Sequence, residues 1–320
     1  MELSVIVPVY NAEKTLSETL QSLLNQDCGP VFEIIAVDDG STDNSVAILA
    51  LYREKAERAG ISFYILAQEN SGPGAARNRG LRSAVGKAIL FLDADDLLEP
   101  FALRQALEKK KATRARMLIF DSVALSPDGA REAFFSSEAS GGYLSCREAY
   151  LAQPCPWNRM IDRALWQESG LWFEEGILYE DLAVIPALAS FCHEGDIYYD
   201  KKPLHRYYQA PDSIMRSAYS EKKRDIFASL DALRRNTRGM ETETEYLAFL
   251  HLLRYFCWIF WNAGDRKALL TASEWMQKNY PHWRQNPLVR ERHSRAERLG
   301  AWLFYRGHFG WIRLWKGTRV

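Results

Sequence analysis

Up to Phe120 the apolar residues fall into short continuous runs separated by longer amphipathic stretches. Leu3–Val9, Phe32–Val37, Ile61–Ala67, Ala88–Leu92 and Met117–Phe120 are apolar and mostly β-branched or aromatic, the pattern of strands covered on both faces. Between them, Ala12–Gln26 places Leu16, Leu20, Leu23 and Leu24 on one helix face, and Val46–Ala59, Gly74–Ala84 and Phe101–Lys111 continue the alternation. Strand alternating with helix predicts an α/β fold: a mostly parallel sheet flanked by helices, with ligands held outside the carboxyl ends of its strands.

The pattern then changes. Residues 127–142 are polar and rich in Gly and Ser, as in a surface connection, and Pro154–Pro211 is dense in aromatic and charged side chains without a clear period. From Glu221 the spacing is helical, as in Tyr246, Phe249, Leu250, Leu253 and Phe256. A division into residues 1–215, an α/β catalytic domain, and 216–320, a helical region ending in a basic aromatic tail, follows from this shift.

Charge alters the picture mainly at the end. The whole chain balances 41 Lys and Arg against 41 Asp and Glu, so a duplex nucleic acid is not an expected partner. From Arg284 to Val320, however, nine basic residues face two acidic ones, Glu291 and Glu297. The five cysteines are scattered without a CxxC pair and read as thiols in a reducing cytosol. Met1–Ser4 runs directly into a strand pattern, without the basic and small-residue signature of a leader, and no apolar run approaches the roughly 18 residues of a membrane span.

Four polar clusters carry candidate chemistry, and three of them lie at strand ends. Asp93, Asp95 and Asp96 follow the fourth strand; three adjacent carboxylates repel one another unless a cation or donors balance them, and hard divalent cations prefer such oxygens. A solvated acidic turn is the plainer alternative. Asp38-Asp39-Gly40-Ser41 can accept hydrogen bonds from a ribose or base, or serve as turn and helix cap. Asn70–Asn78 combines glycines, which let backbone approach a ligand, with the cation of Arg77, but lacks the spacing of a dinucleotide fingerprint. Glu180-Asp181 precedes an apolar helix; it is either a charged helix start or a carboxylate able to deprotonate a hydroxyl.

In this order and spacing, LSVIVPVYN (3–11), EIIAVDDGSTD (33–43), NSGPGAARNRG (70–80), FLDADD (91–96) and the Trp157–Asp181 segment resemble the family-2 glycosyltransferases of GT-A fold. The resemblance implies an inverting transferase using a nucleotide-sugar donor, most commonly UDP-linked, and Mn²⁺ or Mg²⁺. It implies that Pro8 and Tyr10 border the nucleobase, Asp39 reads its imide edge with Arg77 close by, and Asp93 lies by the ribose and diphosphate. Asp95 would be the metal ligand, joined by His205, and Asp96 would face the donor sugar. Trp157 and Asn158 would line the donor and acceptor side, with Asp181 the general base and Glu180 its neighbour. Pro203–Ser213 resembles the segment that closes over the diphosphate; some relatives carry Arg where this chain has Tyr208, and Arg206 is the candidate substitute. One displacement at the anomeric carbon would turn an α-linked donor into a β-linked product. Family habit makes the acceptor a glycan or lipid-linked chain in cell-surface polysaccharide or glycolipid synthesis.

Three rival functions fit the sequence less well. A nucleotidyltransferase should carry a Gly- and Lys-rich loop that Leu3–Asn11 lacks. A non-catalytic nucleotide-binding protein need not keep Asp93, Asp95 and Asp181. A phosphatase would place its Asp-x-Asp after the first strand. In the tail, Trp302, Tyr305, Phe309, Ile312 and Trp315 recur at helical steps among Arg298, Arg306, Arg313 and Lys316. The stripe either packs on the protein's own core or lies in an anionic membrane surface. The second is the expectation, giving a cytoplasmic protein peripheral on the inner face of the membrane.

Overall fold

A computed structural model describes residues 1–29, 31–125, 131–134, 137–208 and 219–310. The chain forms two compact units, Met1–Ser217 and Ala218–Val320.

In the first unit the apolar runs become strands β1 (Leu3–Val9), β2 (Phe32–Asp38), β3 (Ser62–Ala67) and β4 (Ala88–Phe91), which pair in parallel in the order β3-β2-β1-β4. The intervening helices are α1 (Leu16–Leu24), α2 (Ser45–Arg58) and α3 (Pro73–Ser83). Val5, Val7, Leu16, Leu20, Ile34 and Leu90 are fully or almost fully buried in one cluster. Burying each such side chain is worth on the order of 1.5–3 kcal/mol, which is why the strict alternation persists. Because β2 and β4 flank β1 on opposite sides, the crevice at the carboxyl ends of β1 and β4 is the switch point of the sheet.

Beyond β4 the sheet is mixed. A short β5 (Leu97–Leu98) precedes helix α4 (Ala102–Thr113) and strand β6 (Met117–Leu125). β7 (Arg131–Phe134) and β8 (Gly142–Leu144) pair at its margins, and helix α5 (Cys146–Tyr150) leads to β9 (Arg159–Asp162). Helices α6 (Arg163–Ser169) and α7 (Glu180–Ala189) then lead to β10 (Ile197–Tyr208), giving β4-β9-β6-β10-β5. β9 runs antiparallel to β4, with Ala88 opposite Asp162 and Leu90 opposite Met160. Its leading residues, Trp157 and Asn158, therefore arrive at the edge where β4 ends. β10 runs parallel to β6, so its own carboxyl end, from His205 to Tyr208, reaches that same edge. β5 pairs with it there, Leu98 opposite His205.

The second unit is helical in its described residues. It comprises α8 (Ile226–Asn236), α9 (Glu241–Ala248), a π-helical stretch Phe249–Phe256, α10 (Cys257–Asn262), α11 (Arg266–Asn279), α12 (Pro287–Arg292) and α13 (Arg295–Tyr305). Phe249 stacks on the fully buried Trp283, and Arg254 pairs with Glu297 at 2.6 Å. The last helix stops at Tyr305 because Gly307 turns the chain at φ 80°. Phe309 packs beside Phe304, whereas Ile312, Arg313, Trp315 and Lys316 lie outside the described residues. Among the described residues no helix is long and apolar enough to cross a membrane.

Candidate functional site

The loop after β2 anchors the loop before α3. Asp39, 2% exposed, accepts hydrogen bonds from Gln68 Nε2 at 2.7 Å, Ser71 N at 2.9 Å and Gly72 N at 2.8 Å. Gly72 holds φ at 88°, a left-handed conformation open to glycine, and Pro73 then starts the helix. Asp39, expected to read a base edge, thus also shapes this loop. Tyr10, at the end of β1, is 51% exposed and offers its ring to solvent, with Pro8 half-buried two residues earlier. Asn11 ties this corner to the β2 loop, its Oδ1 accepting from Thr42 N at 2.8 Å.

Helix α3 delivers Arg77 into the interior, 5% exposed, where it donates to Asp93 at 2.8 Å and to Glu180. Burial alone would lower the pKa of this guanidinium, but Asp93 and Glu180 outweigh it and raise it. The same helix can sit this close because Gly74 has no Cβ: one added there would lie 2.4 Å from the Glu174 carbonyl oxygen. Glu180 and Asp181 open α7 after Tyr179, which holds φ at 64°, a conformation uncommon for a residue with a side chain. Burial, and then the neighbouring Glu180, push the Asp181 carboxyl up to about 7. Its Oδ1 accepts from Leu182 N at 2.7 Å.

On the other side of Arg77 is the acidic loop after β4. It is fixed from below by Thr15 and Thr19, whose hydroxyls each donate to the Ala94 carbonyl at 2.9 Å. Asp95 is half-buried; burial, then repulsion from Asp96 and Asp93, push its carboxyl up to about 7. Asp96 is 1% exposed and accepts from Tyr208 N at 2.9 Å. His205 Nε2 lies 3.1 Å from Asp96 Oδ2, off the line of a hydrogen bond, and Nδ1 lies 3.2 Å from Ser122 Oγ. Burial drives the His205 pKa down to about 3, so the ring is neutral.

The surroundings of the other expected site residues complete the picture. Among the described residues, no three His, Cys, Asp or Glu side chains are grouped so as to hold a metal ion. His205 faces Asp96 and Ser122 beneath Trp157, whose ring stacks on it at 4.3 Å and on Tyr207 at 5.5 Å. The oxygen donors of Asp95 do fit an ion shared with a substrate diphosphate, since small divalent ions commonly take one or two carboxylates and complete their shell with phosphate oxygens. Trp157 is 6% exposed and Asn158 is fully buried, its Oδ1 accepting from Arg159 Nε at 3.1 Å. Both side chains are thus enclosed by protein. Arg206 is clamped by Glu99, Nε to Oε1 at 2.6 Å, and so is not a free substitute at the Tyr208 position.

Sequence reasoning missed Arg159 and Cys155. Arg159 is fully buried, its pKa lowered to about 10 by burial, and its Nη1 has no hydrogen-bond partner among the described residues. The Cys155 thiol is raised by burial and then by Asp181. Their adjacency to Trp157-Asn158 was the available signal.

The chain resembles known proteins in sequence and in fold. Residues 4–145 match the model of Glycosyl transferase family 2. A poly(ribitol-phosphate) beta-glucosyltransferase of Bacillus spizizenii is 43% identical over 104 residues, covering 32% of this chain and 16% of that protein. The chain spans less than half the length of the curated relatives it matches. Among solved structures, Staphylococcus aureus TarS 1-349 in complex with UDP superposes with a TM-score of 0.75 at 20% identity, covering 100% of this chain and 93% of that one. A mannosyltransferase of Pyrobaculum calidifontis in complex with GDP-Man and Mn²⁺ gives a TM-score of 0.58 at 17% identity, covering 99% and 88%. The α/β sheet is thus a GT-A fold, and the stretch that matches glycosyl transferase family 2, residues 4–145, spans strands β1 to β4 and the acidic loop after β4.

Proposed function

We propose that the protein is an inverting glycosyltransferase that moves a sugar from a nucleoside-diphosphate donor, UDP-linked, to a hydroxyl of a cell-envelope polysaccharide or glycolipid acceptor. The observation that carries this reading is the bridge from Asp93 through Arg77 to Glu180, which sets the acidic loop of the donor side beside the Glu-Asp pair of the acceptor side. The solved TarS complexes with UDP and UDP-GlcNAc, and the beta-glucosyltransferase named above, support a nucleotide-sugar donor and a glycan acceptor.

In this mechanism the exposed Tyr10 ring stacks on the base, beside the loop that Asp39 holds. When bound at Asp95, Mn²⁺ or Mg²⁺ supplies positive charge that offsets the departing diphosphate. Asp181, ionised above its raised pKa, takes the proton of the acceptor hydroxyl as its oxygen attacks the anomeric carbon from the face opposite the diphosphate. Arg77 keeps Glu180 in place so that Asp181 projects from the first turn of α7. Asp96, Trp157 and Asn158 form the support behind the donor sugar.

A nucleotide-sugar donor supports a cytoplasmic site for the reaction. The sequence of residues 311–320, with Trp311, Ile312, Trp315, Arg313, Lys316 and Arg319, supports peripheral contact with the anionic inner face of the membrane; removing those residues should then reduce sedimentation with anionic vesicles. The central test incubates the protein with Mn²⁺ and a panel of nucleotide sugars and follows nucleoside diphosphate release. Asp181→Asn should lower acceptor-dependent release by about 10²–10⁴-fold. Full turnover in that variant removes Asp181 as the base.

A further inference from the structure

The second unit carries a groove of about 910 Å³ between the segment around Trp283 and helix α13. Arg284, Arg290, Arg295, Arg298 and Arg306 line it, and no Asp or Glu does. None of the five has a carboxylate partner among the described residues. From Arg298 to Val320 the sequence contains no acidic residue that would neutralise them. Five guanidinium groups on one concavity repel one another, and a strip of repeated anions relieves that repulsion.

We propose that this groove binds a phosphodiester-bearing polyol or glycan chain, outside the transferase site. Arginine without lysine suits phosphate, because the planar fork donates two parallel hydrogen bonds to one anion and desolvates more readily than an ammonium. A membrane surface fits less well, because the aromatic residues are recessed rather than projecting: Trp283 is fully buried, Trp302 and Tyr305 are half-buried, and only Leu299 is an exposed large apolar side chain there. Single-stranded nucleic acid would need free ring faces for its bases. Here Arg284 stands 5.6 Å over the Trp302 ring, and Tyr305 meets Trp283 edge to face at 6.1 Å.

The test measures retention of the full-length protein on immobilised poly(glycerol phosphate), with neutral dextran and poly(U) as parallel matrices and phosphatidylglycerol vesicles in a sedimentation arm. Binding is read without turnover, so its failure is separate from failure of the transferase reading. The parent should bind poly(glycerol phosphate) in a salt-sensitive way, should not bind dextran, and should bind poly(U) more weakly. Arg284→Glu/Arg298→Glu should weaken polymer binding by at least about tenfold while changing vesicle sedimentation little. Arg284→Gln/Arg298→Gln, which removes charge without reversing it, should fall between and keep the parent's melting temperature. Unchanged polymer retention in the reversed variant, stronger binding to poly(U), or an equal loss on vesicles overturns the proposal.

Discussion

Arg77 and Glu180 stand 103 positions apart in the chain, yet their side chains form a buried ion pair that Asp93 completes on the other fork of the guanidinium. One cation thereby holds the end of β4 against the start of α7.

Removing that cation leaves two carboxylates facing each other in a desolvated space. Arg77→Ala should lower stability by about 3–5 kcal/mol, the usual result of breaking a buried pair from one side, read as a shift in urea unfolding. Arg77→Lys restores charge but cannot reach both partners as a fork, so it should recover stability more than turnover.

Asp181 sets a pH profile. With its carboxyl at about 7, the ionised base is depleted as pH falls through that value, so kcat/KM should drop toward tenfold per pH unit on the acid side. The residual rate of Asp181→Asn should lose that limb. A parent profile flat between pH 6 and 8, which is about one unit to either side, speaks against Asp181 as the base.

Gly74 tests the close approach of α3. Gly74→Ala places a methyl 2.4 Å from a backbone carbonyl and 3.3 Å from Glu180 Cγ, so the backbone must move. A loss of about 1–3 kcal/mol in thermal or urea unfolding is expected, with turnover falling because Glu180 shifts.

In the second unit Asp265 accepts from Arg224 Nε at 2.8 Å, from Tyr219 and from Ala268 N, capping α11. The Arg224 hydrogen bond is the main cause that holds its carboxyl down at about 2. The folded pKa lies below the unfolded one, so this contribution is present above the ordinary value of about 3.9 and is lost as pH falls toward the folded value. Asp265→Asn should lower the melting temperature at pH 7 and shrink the difference between pH 7 and pH 3, which is followed by circular dichroism (about one pH unit above the folded pKa).

Much of the first unit was legible in the sequence. Strands β1 to β4 are buried on both faces, so nearly every side chain must be apolar, and the polar residues that follow them mark the ligand edge. β9 and β10 were not legible. β9 is four residues long and begins with a charged side chain, and β10 carries Asp200, Lys201, Lys202 and Arg206 through its length. Their strand character comes from pairing with β4 and β6, partners far away in sequence.

The residue types at the site were likewise visible, because carboxylates, glycines and an arginine at strand ends are local features. Their assignments were decided elsewhere. Whether Asp39 faces a ligand or its own loop, whether His205 faces an ion or Asp96, and whether Asn158 and Arg159 are exposed or enclosed all depend on which segments pack against them. By itself the chain determined which stretches must leave water and where its chemical groups lie along each strand, since those follow from hydrophobic burial at short range. Only the tertiary structure decided which groups meet, because hydrogen bonds and ion pairs across a hundred residues exist only after the sheet has brought their backbones together.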